Sequence, residues 1–201
     1  KMELKTAALT DLKDKLYDWE AYSEKELEAL VTEFEKIPRE EFSKFYTPVL
    51  SDAKLAEKLA DIGEKYSKNT EIVNNSLSAI GNMVKRYGLD PADKVFNFFV
   101  SSIKNKKANY YVSLFISAFP QYKTWDKKWE YLVSIPGIAP KKKSMGNFHT
   151  EVKQLISNDE KIPLETTQEI IRVLDNYIKT EPLSDYSKKE YLKTIHSLIG
   201  E

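Results

Sequence analysis

The 201-residue sequence has no cysteine and only six glycines. The first absence removes disulfides, thiolate zinc sites and cysteine nucleophiles together. The second argues against a β-rich or loop-rich chain. No apolar run approaches the roughly 18 residues of a membrane-spanning helix. The N-terminal stretch has no apolar signal-peptide core. The expectation is therefore a cytoplasmic, intracellular protein that does not engage a membrane. Glycine-rich phosphate loops and nucleophile elbows are also missing. The two histidines, His149 and His196, are distant in sequence. Neither has a second histidine at metal-ligand spacing, and both are expected at the surface or its boundary. No catalytic residue, metal or cofactor is assigned, and the chain is read as non-enzymatic.

What the sequence does have is apolar residues at 41%, aromatics at 12% and abundant Lys, Glu, Leu and Ala. That composition supports a packed helical core and not a disordered chain. Net charge is zero, but the charges are segregated. Residues 1–66 carry 11 basic and 16 acidic side chains, residues 67–161 carry 15 and 8, and residues 162–201 carry 5 and 7. A basic middle between acidic flanks implies either internal pairing or an anionic partner.

Apolar spacing near 3.6 predicts ten to eleven short amphipathic helices and no strand. Thr10 opens the first, with Leu12, Leu16 and Trp19 inward. Ser23 and Glu26 form a capping box for the second, whose apolar face is Leu27, Leu30, Val31 and Phe34. Pro38 fits the first turn of a third, carrying Phe42, Phe45 and Tyr46 and ending before Pro48. Ser51 caps the fourth, and Asn69 or Thr70 opens the fifth, which Gly88 stops. Asp90-Pro91 opens the sixth, the seventh runs over 107–118, and Thr124 caps the eighth with Trp129 and Leu132 inward. Three longer helices span about 142–156, 166–178 and 187–199. Short linkers favour antiparallel neighbours.

From Ser51 onward the helices pair into hairpins starting near 51, 91, 125 and 166, at spacings of 40, 34 and 41 residues. Within the second helix of the first pair, Ser76, Ala79 and Gly81 interrupt the apolar stripe and permit close helix contact. In this spacing and texture the chain resembles HEAT-type helical-repeat proteins. The expected fold is all-α, with antiparallel hairpins stacked as a HEAT-like α-solenoid or packed as an irregular bundle. The whole of 1–201 is read as one helical domain, a cap over 1–50 followed by four hairpin units over 51–201. In such repeat proteins the second helices line a concave surface that binds protein or nucleic acid. The resemblance therefore places Asn75, Asn82, Lys85, Arg86, Lys106 and Lys107 on a binding surface.

One turn has a sharper pattern. Leu132, Ile135, Pro136, Gly137 and Ile138 resemble the helix-hairpin-helix motif of DNA-binding proteins. In that family the turn offers backbone N–H groups to a phosphate at the start of the second helix. Lys141, Lys142 and Lys143 would add positive charge. Ala139 stands where the motif has its second glycine, and Lys143 where it has a small residue. Half of the 24 aromatics lie between Tyr87 and Tyr131, interleaved with lysines. Tyr110, Tyr122 and Trp125 are expected to be exposed, as a patch for a protein partner.

Two readings of function result. The first is a protein-binding or adaptor module using Asn75, Asn82, Lys85, Arg86, Tyr110, Tyr122 and Trp125. The alternative is a nucleic-acid-binding protein using Gly137, Ala139, Lys141, Lys142, Lys143, Lys106 and Lys107. Strong salt dependence would mark the second.

Overall fold

The computed structural model describes residues 2–40, 43–138 and 140–200. Among them are eleven α-helices, five short 3-10 turns and no strand, so the chain is all-α as the spacing predicts. The first helix, α1 (Met2–Tyr17), is longer than expected. Thr10 lies inside it, its hydroxyl donating to the Thr6 carbonyl (2.9 Å), while Leu9, Leu12 and Leu16 form the buried face. The capping box of α2 (Glu24–Glu40) forms as read, with reciprocal bonds of 3.0 and 3.2 Å between Ser23 and Glu26.

Pro38 does not open a helix. It is buried in the last turn of α2, and the expected third helix is replaced by a 3-10 turn and the short α3 (Thr47–Leu50). Pro48 opens α3 and does not end its predecessor, because its missing N–H falls where a helix start leaves N–H groups unpaired. Phe42 lies outside the described residues. The cap of α4 (Ala53–Lys65) is Asp52, whose carboxylate accepts from the Lys54 and Leu55 amides at 2.9 and 3.4 Å. Ser51 is unavailable for that role, since its hydroxyl donates back to the Thr47 carbonyl. Asn69 caps α5 (Thr70–Tyr87), and Gly88 ends it at φ 66°, the left-handed region that glycine enters without strain.

Next come α6 (Asp93–Ser102) and α7 (Asn109–Phe115). Thr124 closes a 3-10 turn and is no cap for α8 (Lys128–Ser134). In α8 it is Tyr131 and Leu132 that are buried, with Trp129 half-buried. Lys128 is itself buried, paired to Glu160 and 4.6 Å above the Trp129 ring. The three last helices are α9 (Lys141–Ser157), α10 (Leu164–Thr180) and α11 (Asp185–Ile199), close to their expected spans.

These helices fall into two compact units, Lys1–Trp125 and Asp126–Glu201. In the first, α1 packs on α2 and α4, and α4 packs on α5 and α6. The second helices follow suit: α2 packs on α5, and α5 on α7. Hairpin therefore lies on hairpin, first helix to first and second to second. The pair α1–α2 takes part in this pattern. Within the second unit, α8 packs on α10, α9 on α11, and α10 on α11. The small residues act as expected at one point: a Cβ placed on Gly81 would stand 2.2 Å from Phe115 Cγ, so the ring lies against the α5 backbone. Gly63 in α4 meets the Phe98 ring in the same way, at 2.4 Å.

Candidate functional site

The second helices of the first unit carry the candidate site. A series of polar bridges fixes α2 against α5. Asn69 donates to Glu24 and Glu28 (3.2 and 3.0 Å), Asn75 to the Thr32 hydroxyl (3.0 Å), and the Ser78 hydroxyl to Glu35 (2.8 Å). Arg86 donates to the carbonyls of Pro38 (3.2 Å) and Arg39. Partner numbers rise together along both helices, so α2 and α5 run parallel with their C-terminal ends side by side. The Asn74 amide reaches the Lys107 carbonyl (3.2 Å) just before α7, and Gly81 meets Phe115 near its end. Hence α7 runs the same way.

Beside the C-terminal ends of α2 and α5, and along the whole of α7, lies a cleft of about 560 Å³, lined by Arg39 of α2, by Ser78, Asn82, Lys85 and Arg86 of α5, and by Tyr110, Tyr111, Leu114 and Phe115 of α7. Beneath it, buried Glu35 accepts two bonds from Arg39 (2.7 and 3.2 Å) as well as the one from Ser78. A buried carboxylate is stable when paired and hydrogen-bonded in this way. The Glu35 carboxylate in turn holds the Arg39 guanidinium above its ordinary pKa. Arg86 occupies carbonyls that the end of α2 leaves without helical partners, where a cation also meets the favourable pole of the helix dipole. Burial, followed by the charge of Glu35, pushes the Tyr111 phenol up, so the ring stays neutral at physiological pH. Tyr110 packs edge-on against Tyr111 with ring centroids 5.3 Å apart.

Four residues expected at a protein-binding surface therefore meet in one place: Asn82, Lys85, Arg86 and Tyr110. Their exposure differs from expectation. Lys85 is exposed and Tyr110 and Arg86 are half-buried, but Asn82 is buried, its amide donating to the Ser78 carbonyl (3.0 Å). Asn75 belongs to the same helix layer but lies half-buried against Thr32, outside the cleft lining. Tyr122 is not exposed. It is buried, 6.0 Å from the Trp125 ring, and Trp125 is half-buried with its edge against Phe96 at 5.7 Å. Both belong to an aromatic core cluster with Phe99 and Phe119.

Sequence reading missed Arg39, Glu35, Ser78, Tyr111 and Leu114. A signal existed for three of them. Glu35 and Arg39 stand four apart, as helical ion pairs do, and Ser78 falls in step with Asn75 and Asn82 at spacings of three and four. The contribution of α7 had no such signal, because it depends on which helices become neighbours.

The residues of the nucleic-acid reading are placed differently. Gly137 is exposed and closes a 3-10 turn, Ile135–Gly137, in which the Ile138 N–H donates to the Ile135 carbonyl (3.0 Å). That amide is therefore unavailable to a phosphate. Ala139 lies outside the described residues. Lys141, Lys142 and Lys143 are exposed in the first turn of α9, which has no side-chain cap. Lys106 and Lys107 are exposed in the other unit, ahead of α7.

His149 departs furthest from expectation. It is buried between α9 and α11, its ring 4.4 Å from that of Tyr191, and its Nε2 lies 2.7 Å from the Thr194 hydroxyl. That hydroxyl donates to the Glu190 carbonyl (3.2 Å), which leaves Nε2–H as donor to it. Burial, helped by the charge of Lys153 and opposed by Glu190, pushes the imidazole down to about 4.

Among the described residues no group of three or more histidine, aspartate or glutamate side chains is placed to hold a metal ion. No described helix is long and apolar enough to cross a membrane. Compared with known protein families, characterised proteins and solved structures, the chain matches none significantly.

Proposed function

We propose that the chain is a non-enzymatic, HEAT-like protein-binding module whose partner docks on the second helices of the first unit. The observation that carries this reading is the cleft that α7 forms with the C-terminal ends of α2 and α5. Three successive hairpins each contribute their second helix to it, as a helical-repeat binding surface requires. Its lining offers arginine and tyrosine side chains held in place by neighbours, the residue types that dominate binding energy at protein interfaces. The test is a photo-crosslinking residue at Tyr110 in the full chain. A specific partner should be trapped, and trapping should be lost with Lys85→Glu but kept with Lys25→Glu at the opposite end of α2. Trapping that is absent, or indifferent to Lys85→Glu, sinks the reading.

A second reading, nucleic-acid binding, is supported by the three exposed lysines at the uncapped start of α9. A helix start and positive charge together suit a phosphate. It predicts duplex or single-strand binding that falls steeply with salt and disappears when Lys141, Lys142 and Lys143 become glutamate. Failure of both nucleic acids to bind at low salt removes it.

A further inference from the structure

We infer that the cleft receives an acidic segment of its partner protein, with carboxylates at the Lys85 end and an apolar side chain against Tyr110 and Leu114. This rests on the reading of that face as a protein interface and states the chemistry of what docks there. The starts of α2 and α5 carry both signs, Glu24, Lys25, Glu28 and Glu71, whereas Arg39, Lys85 and Arg86 stand at their ends with Glu40 beside Arg39. Because the helices run parallel, the three cations converge on one cleft.

They are not equivalent. Arg39 is paired with Glu35 and lies 3.2 Å from Glu40, and Arg86 is seated on the α2 carbonyls. Lys85 is exposed, and no ion pair among the described residues involves it. Among the described residues no carboxylate answers its charge. An arriving carboxylate meets Lys85 beside two guanidinium groups already fixed in position, so little ordering is required of the site. The aromatic and aliphatic wall on α7 supplies apolar contact beside that charge.

The same layout disfavours nucleic acid in this cleft. A single strand needs a row of cations that follows its backbone. Here the cationic stretch is short and is interrupted by acidic side chains, Glu40 beside Arg39 and Glu28 and Glu24 further along α2, which disfavours an extended polyanion. A short acidic segment of a protein matches the length of the positive patch, and the cleft volume of about 560 Å³ accommodates a few side chains.

The experiment uses the full chain and a fluorescein-labelled decapeptide of alternating glutamate and leucine, followed by anisotropy at low salt. Two further probes are the same peptide with lysine for glutamate and a ten-nucleotide thymidine strand. The acidic peptide should bind and should weaken as salt rises. Lys85→Glu should weaken it by roughly tenfold or more. Tyr110→Ala should weaken it without changing the salt dependence. Both positions are at least partly solvent-exposed, and unchanged helical circular dichroism verifies that the variants fold. The proposal is overturned if the acidic peptide fails to bind, if the lysine peptide binds equally well, if Lys85→Glu has no effect, or if the oligonucleotide binds more tightly. Failure of the peptide while Tyr110 still traps a partner in a Lys85-dependent way rejects the acidic chemistry alone. Loss of both rejects the interface as well.

Discussion

The middle helix of the first unit and the last helix of the second are packed by opposite rules. Over its 18 residues α5 has three charged side chains, Glu71, Lys85 and Arg86, all near its ends. Between them nearly every residue is buried, including Ser76, Ser78 and Asn82. Over its 15 residues α11 carries five: Asp185, Lys188, Lys189, Glu190 and Lys193. It buries only Thr194 and Ile195, and leaves Tyr186, Leu192 and Ile199 exposed. With α2, α4 and α7 around it, α5 has no free face. Its buried polar groups turn to partners inside, Ser78 to Glu35 and Asn82 to the Ser78 carbonyl, while the Ser76 hydroxyl finds none among the described residues. A helix with one-sided packing tolerates charge over most of its surface. The difference forecasts where a substitution will be felt.

The largest effect is expected at Gly81. Any side chain there must displace the Phe115 ring, whose Cγ stands 2.2 Å from where a Cβ would sit. Gly81→Leu should destabilise the first unit by about 3 kcal/mol or more, since neither ring nor backbone can yield by that much without lifting α7. Urea denaturation followed by amide hydrogen exchange reads this directly. Protection should fall in α5 and α7 and persist in α9 to α11. Unchanged protection in α7 would mean that α7 does not sit on α5 in solution.

Much of this was readable in advance, and the misses share a cause. The capping box at Ser23 and Glu26, the Asn69 cap and the Gly88 stop are local signals, decided within four or five residues, and all three form. Pro38 misled because a proline suits a first turn, whereas here it lies buried in the last turn of α2. Tyr122 misled because its lysine-rich surroundings look like surface, while its ring is claimed by Trp125 and by burial. Within the cleft, Asn82, Lys85 and Arg86 were legible as polar residues of a second helix. Tyr111 and Leu114 join them only through the choice of helix neighbours, which single-helix periodicity does not carry.

His149 sharpens the contrast from the side of the second unit. In the unfolded chain the imidazole takes a proton near pH 6.5, whereas in the fold it does so only near 4. Between those values the unfolded state binds more protons, so stability falls as pH is lowered through that window. The contribution is fully present above about 6.5 and fully lost below about 4, up to about 3 kcal/mol in all. Burial of the imidazole against Tyr191 and Thr194 is what sets the sign. Thermal melts from pH 7 to pH 4 should show the loss, with hydrogen exchange placing it in α9 and α11. His149→Phe preserves an aromatic ring beside Tyr191 and should flatten the dependence. If the variant keeps the full slope, the acid sensitivity arises elsewhere.

The smallest effect reverses the sign of the first. Gly146 also lies inside a helix, in α9, but it is exposed and nothing stands within 4 Å of the Cβ it lacks. An alanine there adds no clash and restricts the unfolded chain, so Gly146→Ala should stabilise the second unit by roughly 0.5–1 kcal/mol. Two glycines in helix interiors then respond in opposite directions, one because another helix lies on it and one because none does. The measurement is the urea midpoint at unchanged slope, since a change in slope would report an altered unfolded state. A Gly146→Ala variant that loses stability would show that this face of α9 is covered in solution. The one-sided packing argued for the second unit would then have to be abandoned for α9.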